Sequence, residues 1–272
     1  PAVDLVGATA DSVNTVYVQA QQAIGSQKVA DMARALGVTA PLHADASLTL
    51  GTPSVSVIDM ASAYSTFADR GVHVAPRTIL EVRRADGTVI EPEHAPEATR
   101  VLGRDQAGVV TYCLQQVVQR GSGTGAGVAG RAVAGKTGTT EDNADAWFVG
   151  YTPNLTAAVW MGYPEGNQRK LLGVHGVPAV TGGTLPAAVF RRFVAAATAD
   201  LRYAGDFGPA PRLGGRTLPP PKNVVLPTTT TSSTTTSTST TTTAPGETTA
   251  PTPPSTAAPT TAPAPNPPTA PG

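Results

Sequence analysis

The stretch Gly130-Arg131-Ala132-Val133-Ala134-Gly135-Lys136-Thr137-Gly138-Thr139-Thr140 admits two readings with incompatible folds. Its first eight residues match G-x-x-x-x-G-K-[ST], the loop that cradles phosphate between a strand and a helix. That loop needs an apolar strand directly before its first glycine and a helix directly after its lysine. Gly125-Ala126-Gly127-Val128-Ala129 precedes it here, too glycine-rich for a buried strand, and Thr137-Gly138-Thr139-Thr140 runs on into an acidic loop. No apolar strand ending in a magnesium-binding aspartate follows. The other reading places Lys136 at the start of a strand, with two hydroxyls and a turn glycine beside it. That cluster suits an anionic ligand, because the lysine is a positive charge and the hydroxyls can donate to a carboxylate.

Working outward, residues 131–139, 146–152 and 155–162 form three short apolar or alternating runs. Asn143 lies in the loop between the first two, and Pro153-Asn154 makes the turn between the last two, so an antiparallel meander is expected. Upstream the period changes to 3.6. Val13, Val16, Tyr17, Ala20 and Ile24 mark a helix ended by Gly25, and Val29, Met32, Ala33 and Leu36 a second, with Ser26 as candidate N-cap and Gly37 as stop. Thr52-Pro53 is expected to open a third, closed by Gly71, and Asp105 to cap a fourth. Ala85-Asp86-Gly87 reads as a hairpin turn, and a last helix begins near Thr184 and Pro186. Helices on an antiparallel sheet give an α+β fold.

Composition narrows the function. Nineteen basic residues balance nineteen acidic ones, so there is no electrostatic case for nucleic acid. The single cysteine, Cys113, excludes an internal disulfide and any multi-thiolate metal site; its position reads as helix core. His43, His73, His94 and His175 sit in expected loops without metal-ligand spacing, and no metal or cofactor is expected. No signal peptide and no apolar run near 18 residues is present. Composition changes sharply near Gly208. Residues 227–272 are almost entirely Thr, Ser, Pro and Ala, too poor in apolar surface to offset the entropy of ordering. The expected organisation is therefore a folded unit over residues 1–207 and a disordered tail over 208–272. That tail reads either as a flexible linker or as an O-glycosylated extracellular spacer.

A second short cluster, Ser12-Val13-Asn14, lies far upstream of Lys136-Thr137-Gly138-Thr139-Thr140. S-x-N and K-T-G are two of the three motifs of serine penicillin-interactive enzymes. With Leu50-Gly51, Ala63-Tyr64-Ser65-Thr66-Phe67-Ala68 and Asp145-Ala146-Trp147-Phe148-Val149-Gly150-Tyr151 added, the chain resembles the C-terminal part of the transpeptidase domain of class A penicillin-binding proteins over roughly residues 1–195. The resemblance implies acyl transfer on peptidoglycan stem peptides: a serine attacks the D-Ala-D-Ala bond, D-alanine leaves, and an amine from another stem captures the acyl group. Penicillins and other β-lactam antibiotics would mimic the donor.

By the same resemblance Ser12 relays a proton to the leaving amine, and Asn14 holds a substrate carbonyl and the active-site lysine. Lys136 supplies positive potential, and Thr137 and Thr139 receive the terminal carboxylate. The Thr139 amide is one of two oxyanion-hole donors, and Gly138 lets the substrate backbone approach. Taken singly, each residue has a plainer reading. Ser12 is then a helix N-cap, Asn14 a first-turn polar residue, Lys136 a solvated strand lysine, and Thr137 and Thr139 simple β-formers. Alternation puts Asp145 and Trp147 on one face, where either would contact ligand or merely pack; Glu141 and Asp142 read as solvated charges.

The nucleophile motif S-x-x-K is missing. Lys28, Lys136, Lys170 and Lys222 are preceded at that distance by Gly25, Val133, Asn167 and Pro219. Family order places the serine before Pro1, with a glycosyltransferase domain and membrane anchor further upstream. These 272 residues are therefore expected to form no acyl-enzyme by themselves. The expected setting is the extracytoplasmic membrane face and wall, with stem peptides, β-lactams and cell-wall, divisome or elongasome proteins as partner classes. The alternative is a non-catalytic module that keeps the fold and binds wall peptide or a partner. A serine β-lactamase is a third reading, which the tail and the D-A-W-F-V-G-Y run disfavour.

Overall fold

The computed structural model describes residues 3–91, 96–199, 205–209, 211–212, 214–215 and 217–218. Contacts divide the chain into Pro1–Lys222 and Asn223–Gly272. The second unit lies outside the described residues, and so does most of the expected tail.

Three helices open the chain: α1 (Leu5–Asp11), α2 (Asn14–Ile24) and α3 (Ser26–Ala35). α4 (Val57–Ala68) follows, then the short strands β1 (Val72–Val74), β2 (Val82–Arg83), β3 (Val89–Glu91) and β4 (Ala98–Arg100). α5 (Arg104–Arg120) leads to the central meander β5 (Ala134–Thr139), β6 (Ala146–Tyr151) and β7 (Thr156–Met161). The hairpin β8 (Leu172–Val174) and β9 (Val177–Ala179) precedes α6 (Leu185–Ala197). The α+β reading holds, and the meander is antiparallel in the order β5-β6-β7.

The meander is covered on both faces. Phe148 of β6 packs on Phe190 of α6, ring centroids 4.8 Å apart, in a core with Val118, Val133, Ala187 and Val194. On the other face Tyr151 and Ala134 meet Leu114 of α5, with Tyr64 and Phe67 of α4 alongside. The Tyr151 hydroxyl is buried with Thr111 as its hydrogen-bond partner at 2.9 Å. Phe207 stacks edge-on against Tyr151 at 5.4 Å, so the packed unit reaches at least that residue. At the turn after β6, the Thr152 hydroxyl accepts from the Asn154 and Leu155 amides, which closes the expected Pro153-Asn154 connection.

Several boundaries differ from expectation, each for a local reason. α4 starts at Val57 rather than at Thr52-Pro53, because Ser56 accepts from the Asp59 amide at 3.0 Å and caps it. α5 is capped by Gly103, whose amide donates to the Gln106 side chain at 2.9 Å; Asp105 sits in the first turn. α3 takes Ser26 as its first residue, with Gly25 at the cap. β5 ends and β6 begins where the apolar runs place them, at Thr139 and Ala146, and the other meander strand ends fall one to three residues inside the runs. α1, β1, β4, β8 and β9 carry no clear period and were not anticipated. His73 lies in β1, hydrogen-bonded to Ser62 Oγ at 3.1 Å, and not in a loop; His94 falls outside the described residues. Cys113 is half-buried, not core, on α5.

Two buried polar side chains tie the N-terminal helices together. Gln21 of α2 donates to Ser26 Oγ and to the Asp45 carbonyl, and accepts from the Thr49 amide at 2.7 Å. Asp59 of α4, only 6% exposed, accepts from the Thr39 and Ala40 amides at 3.0 and 3.2 Å and from the Thr39 hydroxyl. Burial alone would raise the Asp59 pKa, but its hydrogen bonds from Thr39, Ser56 and Ala40 together outweigh burial and hold it below the ordinary carboxylate value.

Asp59→Ala should cost about 2–4 kcal/mol, read as a lowered Tm, because it leaves two buried amides unpaired. A depressed carboxyl pKa contributes stability above 3.8 that is lost as pH falls through the folded value. Acid unfolding curves should therefore be shallower for Asp59→Asn than for the unaltered chain. Equal acid dependence would show that Asp59 is not the group responsible.

Candidate active site

Lys136 lies in β5, opposite Val149 of β6, with Gly138 opposite Trp147. A strand continues through Thr139 where a phosphate-binding loop would have a helix, which removes the nucleotide reading. β5 has one edge unpaired among the described residues, leaving alternate backbone amides and carbonyls open along the site.

Ser12 reaches this strand from the α1–α2 turn. It is not a helix N-cap. It closes α1 in the left-handed region at φ 58°, and Val13 caps α2. Two features fix the turn. The Asp4 side chain accepts from the Gly7 amide at 2.7 Å and holds the start of α1, while the Val13 amide donates to the Ala8 carbonyl at 2.9 Å. α1 also lies directly on the end of α5, where the Ser122 amide donates to the Ala10 carbonyl at 3.0 Å. A Cβ on Gly121 would sit 2.2 Å from that carbonyl, so only glycine permits the approach.

The Lys136 ammonium donates to Ser12 Oγ at 2.8 Å, across 124 residues of sequence, to the Thr137 carbonyl at 3.0 Å and to Thr137 Oγ1 at 3.4 Å. Its three protons are thereby directed. Among the described residues no carboxylate pairs with it. Burial, with no compensating charge, pulls its pKa down to about 8. Thr137 Oγ1 is within 2.7 Å of Ser122 Oγ. Thr139, exposed at the strand end, accepts from the Gly182 amide at 3.0 Å, which leaves its own proton for another acceptor.

Ser12, Lys136 and Thr137 are thus in contact, with Gly138 and Thr139 continuing along the same strand. Asn14 is exposed in the first turn of α2 and makes no hydrogen bond to Ser12 or Lys136. Trp147 flanks Gly138, where an added Cβ would lie 3.2 Å from the tryptophan Cβ. Asp145 precedes β6; burial raises its carboxyl pKa, opposed by a hydrogen bond from Trp147. Glu141 and Asp142 are exposed, and Asp142 pairs with Lys170 at 3.1 Å.

Three contributors escaped the sequence reading. Ser122 was part of a glycine-rich loop with no motif of its own. The turn Thr181-Gly182-Gly183-Thr184 packs so closely that a Cβ on Gly182 would meet the Gly138 carbonyl of β5 at 2.6 Å and the Trp147 carbonyl of β6 at 2.2 Å, and one on Gly183 the Ser122 carbonyl at 2.3 Å. Asn143, at φ 57°, donates its side-chain amide to the Val180 carbonyl at 3.0 Å, and its own carbonyl receives the Leu171 amide at 2.8 Å. It pins the β8–β9 hairpin beside the strand. Adjacent glycines flanked by threonines were the available signal.

Comparison with known proteins places this geometry. Residues 1–194 match the penicillin binding protein transpeptidase domain. Penicillin-binding protein 1A of Aquifex aeolicus is 38% identical over 173 residues, covering 64% of this chain and 23% of the relative. Penicillin-binding protein 1F of Bacillus subtilis is 36% identical over 169 residues, covering 59% of this chain and 23% of the relative. The chain thus spans under a quarter of these curated relatives. Among solved structures, the PonA1 protein of Mycobacterium tuberculosis in complex with penicillin V superposes with a TM-score of 0.66 at 29% identity, covering 80% of this chain and 62% of that one. A buried ammonium on a strand edge, tied to a serine of an S-x-N turn, therefore sits within a recognised domain: the chain belongs to the penicillin-binding protein transpeptidase family, in its class A branch.

Proposed function

We propose that this chain supplies the carboxylate-binding and proton-relay half of a D,D-transpeptidase site that cross-links peptidoglycan stem peptides and binds β-lactams. The observation that carries the reading is the half-buried Lys136 ammonium, which has no carboxylate partner among the described residues and is directed onto Ser12 and Thr137. A desolvated cation of this kind favours an incoming anion, and a D-Ala-D-Ala terminus presents one.

In this reading the terminal carboxylate lies against Thr137 and Thr139, in the field of Lys136. Gly138 and the open edge of β5 admit the peptide backbone as an added strand. A serine hydroxyl attacks the penultimate carbonyl, its proton is taken by a neighbouring base, and the Thr139 amide helps hold the oxyanion. The C–N bond then breaks, and Ser12 delivers the proton that the departing D-alanine amine needs. Ser12 suits that relay, because its oxygen already accepts from Lys136 and its own proton is free to move. Asn14 steadies the substrate carbonyl. The attacking serine comes from outside these 272 residues, since none of the four lysines completes S-x-x-K. By itself the chain forms no acyl-enzyme.

The setting follows from the same reading: residues 1–207 as the C-terminal part of the transpeptidase domain, 208–272 as a spacer, at the extracytoplasmic face of the cell membrane and the wall. Among the described residues no helix is long and apolar enough to cross a membrane. Wall, divisome or elongasome proteins are the further partners proposed. One rival is a non-catalytic module that keeps the fold and binds wall peptide or a partner.

Labelling the native gene product with a fluorescent penicillin, after capture by an antibody to residues 1–200, separates the two. A labelled band well above 27.5 kDa is expected; an unlabelled band near 27.5 kDa would leave only the binding module. Lys136 also sets a pH dependence. Its charged form prevails below about 8, so affinity of the chain for N-acetyl-D-alanyl-D-alanine should fall as pH rises through about 8. Lys136→Ala should weaken binding roughly 10- to 100-fold and abolish that dependence. Binding that is flat across pH 7–9 would remove Lys136 from the anion site.

A further inference from the structure

Ser122 belongs to neither motif, yet it touches α1, the strand β5 and the turn at Gly183. Its amide donates to the Ala10 carbonyl at 3.0 Å, two residues before Ser12, and its carbonyl lies against Gly183 of the turn that packs on β5. The backbone makes both contacts, so the side chain is free for something else. That side chain is exposed and is hydrogen-bonded to Thr137 Oγ1 at 2.7 Å.

Thr137 Oγ1 has two lone pairs and one proton. Lys136 Nζ addresses one lone pair at 3.4 Å. When Ser122 donates into the other, the threonine proton has no acceptor left within the protein cluster and is directed outward. We propose that Ser122 is a positioning residue that presents the Thr137 hydroxyl as a donor to a ligand carboxylate; this rests on the reading of Thr137 as a carboxylate contact. A hydroxyl without that second partner would divide its proton among several directions, and ordering it would fall to the ligand. Ser122 therefore acts on the carboxylate alone and contributes nothing to recognition of the peptide's uncharged part.

The test measures binding of N-acetyl-D-alanyl-D-alanine and of its C-terminal amide to the 272-residue chain by tryptophan emission. Trp147, beside Gly138, and Trp160 are its two tryptophans. Ser122→Ala should weaken the acid about fivefold, the worth of one neutral hydrogen bond, while leaving the amide unchanged. Ser122→Thr should restore the acid to within about twofold of the unaltered chain. Thr137→Val should reduce the preference for acid over amide at least as far as Ser122→Ala does, the remainder coming from Lys136 and Thr139. A structural role would weaken acid and amide in parallel, so parallel loss in Ser122→Ala overturns the proposal, as does an unchanged acid-to-amide ratio. If Thr137→Val also keeps the ratio, the carboxylate reading itself falls, and the role of Ser122 falls with it. Should Ser122→Ala lower the melting temperature, Ser122→Cys, close in size and a weak donor, is read by the same ratio.

Discussion

A lysine ammonium held half-buried on an edge strand, with no carboxylate among the described residues to neutralise it, is the constraint around which this molecule is arranged. Such a charge loses hydration and must be met by oriented dipoles. Ser12 Oγ and the Thr137 carbonyl provide them, and the pKa near 8 reflects how incompletely they replace water. A paired carboxylate would have restored the ordinary lysine value and closed the site to anions. Without it the ammonium, with a pKa of about 8, is still largely charged at neutral pH and keeps its attraction for an incoming negative group.

Placing Ser12 against that ammonium requires the helical layer to come very close to the meander. α1 is seven residues long, too short to be stable by its own hydrogen bonds, and it persists through burial of Ala8, Thr9 and Ala10. Small residues on α1 and glycine at the end of α5 let the two backbones touch, so the Ser122 amide can reach the Ala10 carbonyl. The left-handed turn at Ser12 then redirects the chain into α2. On the far side, the glycine pair at 182–183 brings a third backbone segment onto the same strand. The site is built where three backbones approach more closely than ordinary side chains allow.

The period of two along β5 was readable from residues 134–139, and it places Lys136 and Gly138 on the face shared with Val149 and Trp147. Helix periodicity likewise located α2, α3, α4, α5 and α6, since each has an apolar stripe to bury. Ser56 and Gly103 as caps went unread, because a cap is chosen by which backbone amide ends up exposed. α1 and the short strands were missed for a related reason: their residues are small or unpatterned, and only contacts with α5 or with each other make them regular. The Asp145–Trp147 hydrogen bond follows the expected alternation in part, with Asp145 one residue outside β6.

The sequence by itself determined the family, the α+β class, the meander, and the residue types at S-x-N and K-T-G-T, because motif chemistry and hydrophobic period are local properties of a chain. Only the tertiary structure decided that Ser12 ends a helix instead of starting one and that Lys136 meets no carboxylate among the described residues. It also decided that Ser122 joins the hydroxyl of Thr137. Each of these depends on the distance between segments far apart in sequence. That distance is set by which backbones can touch, and no spacing within a single motif records it.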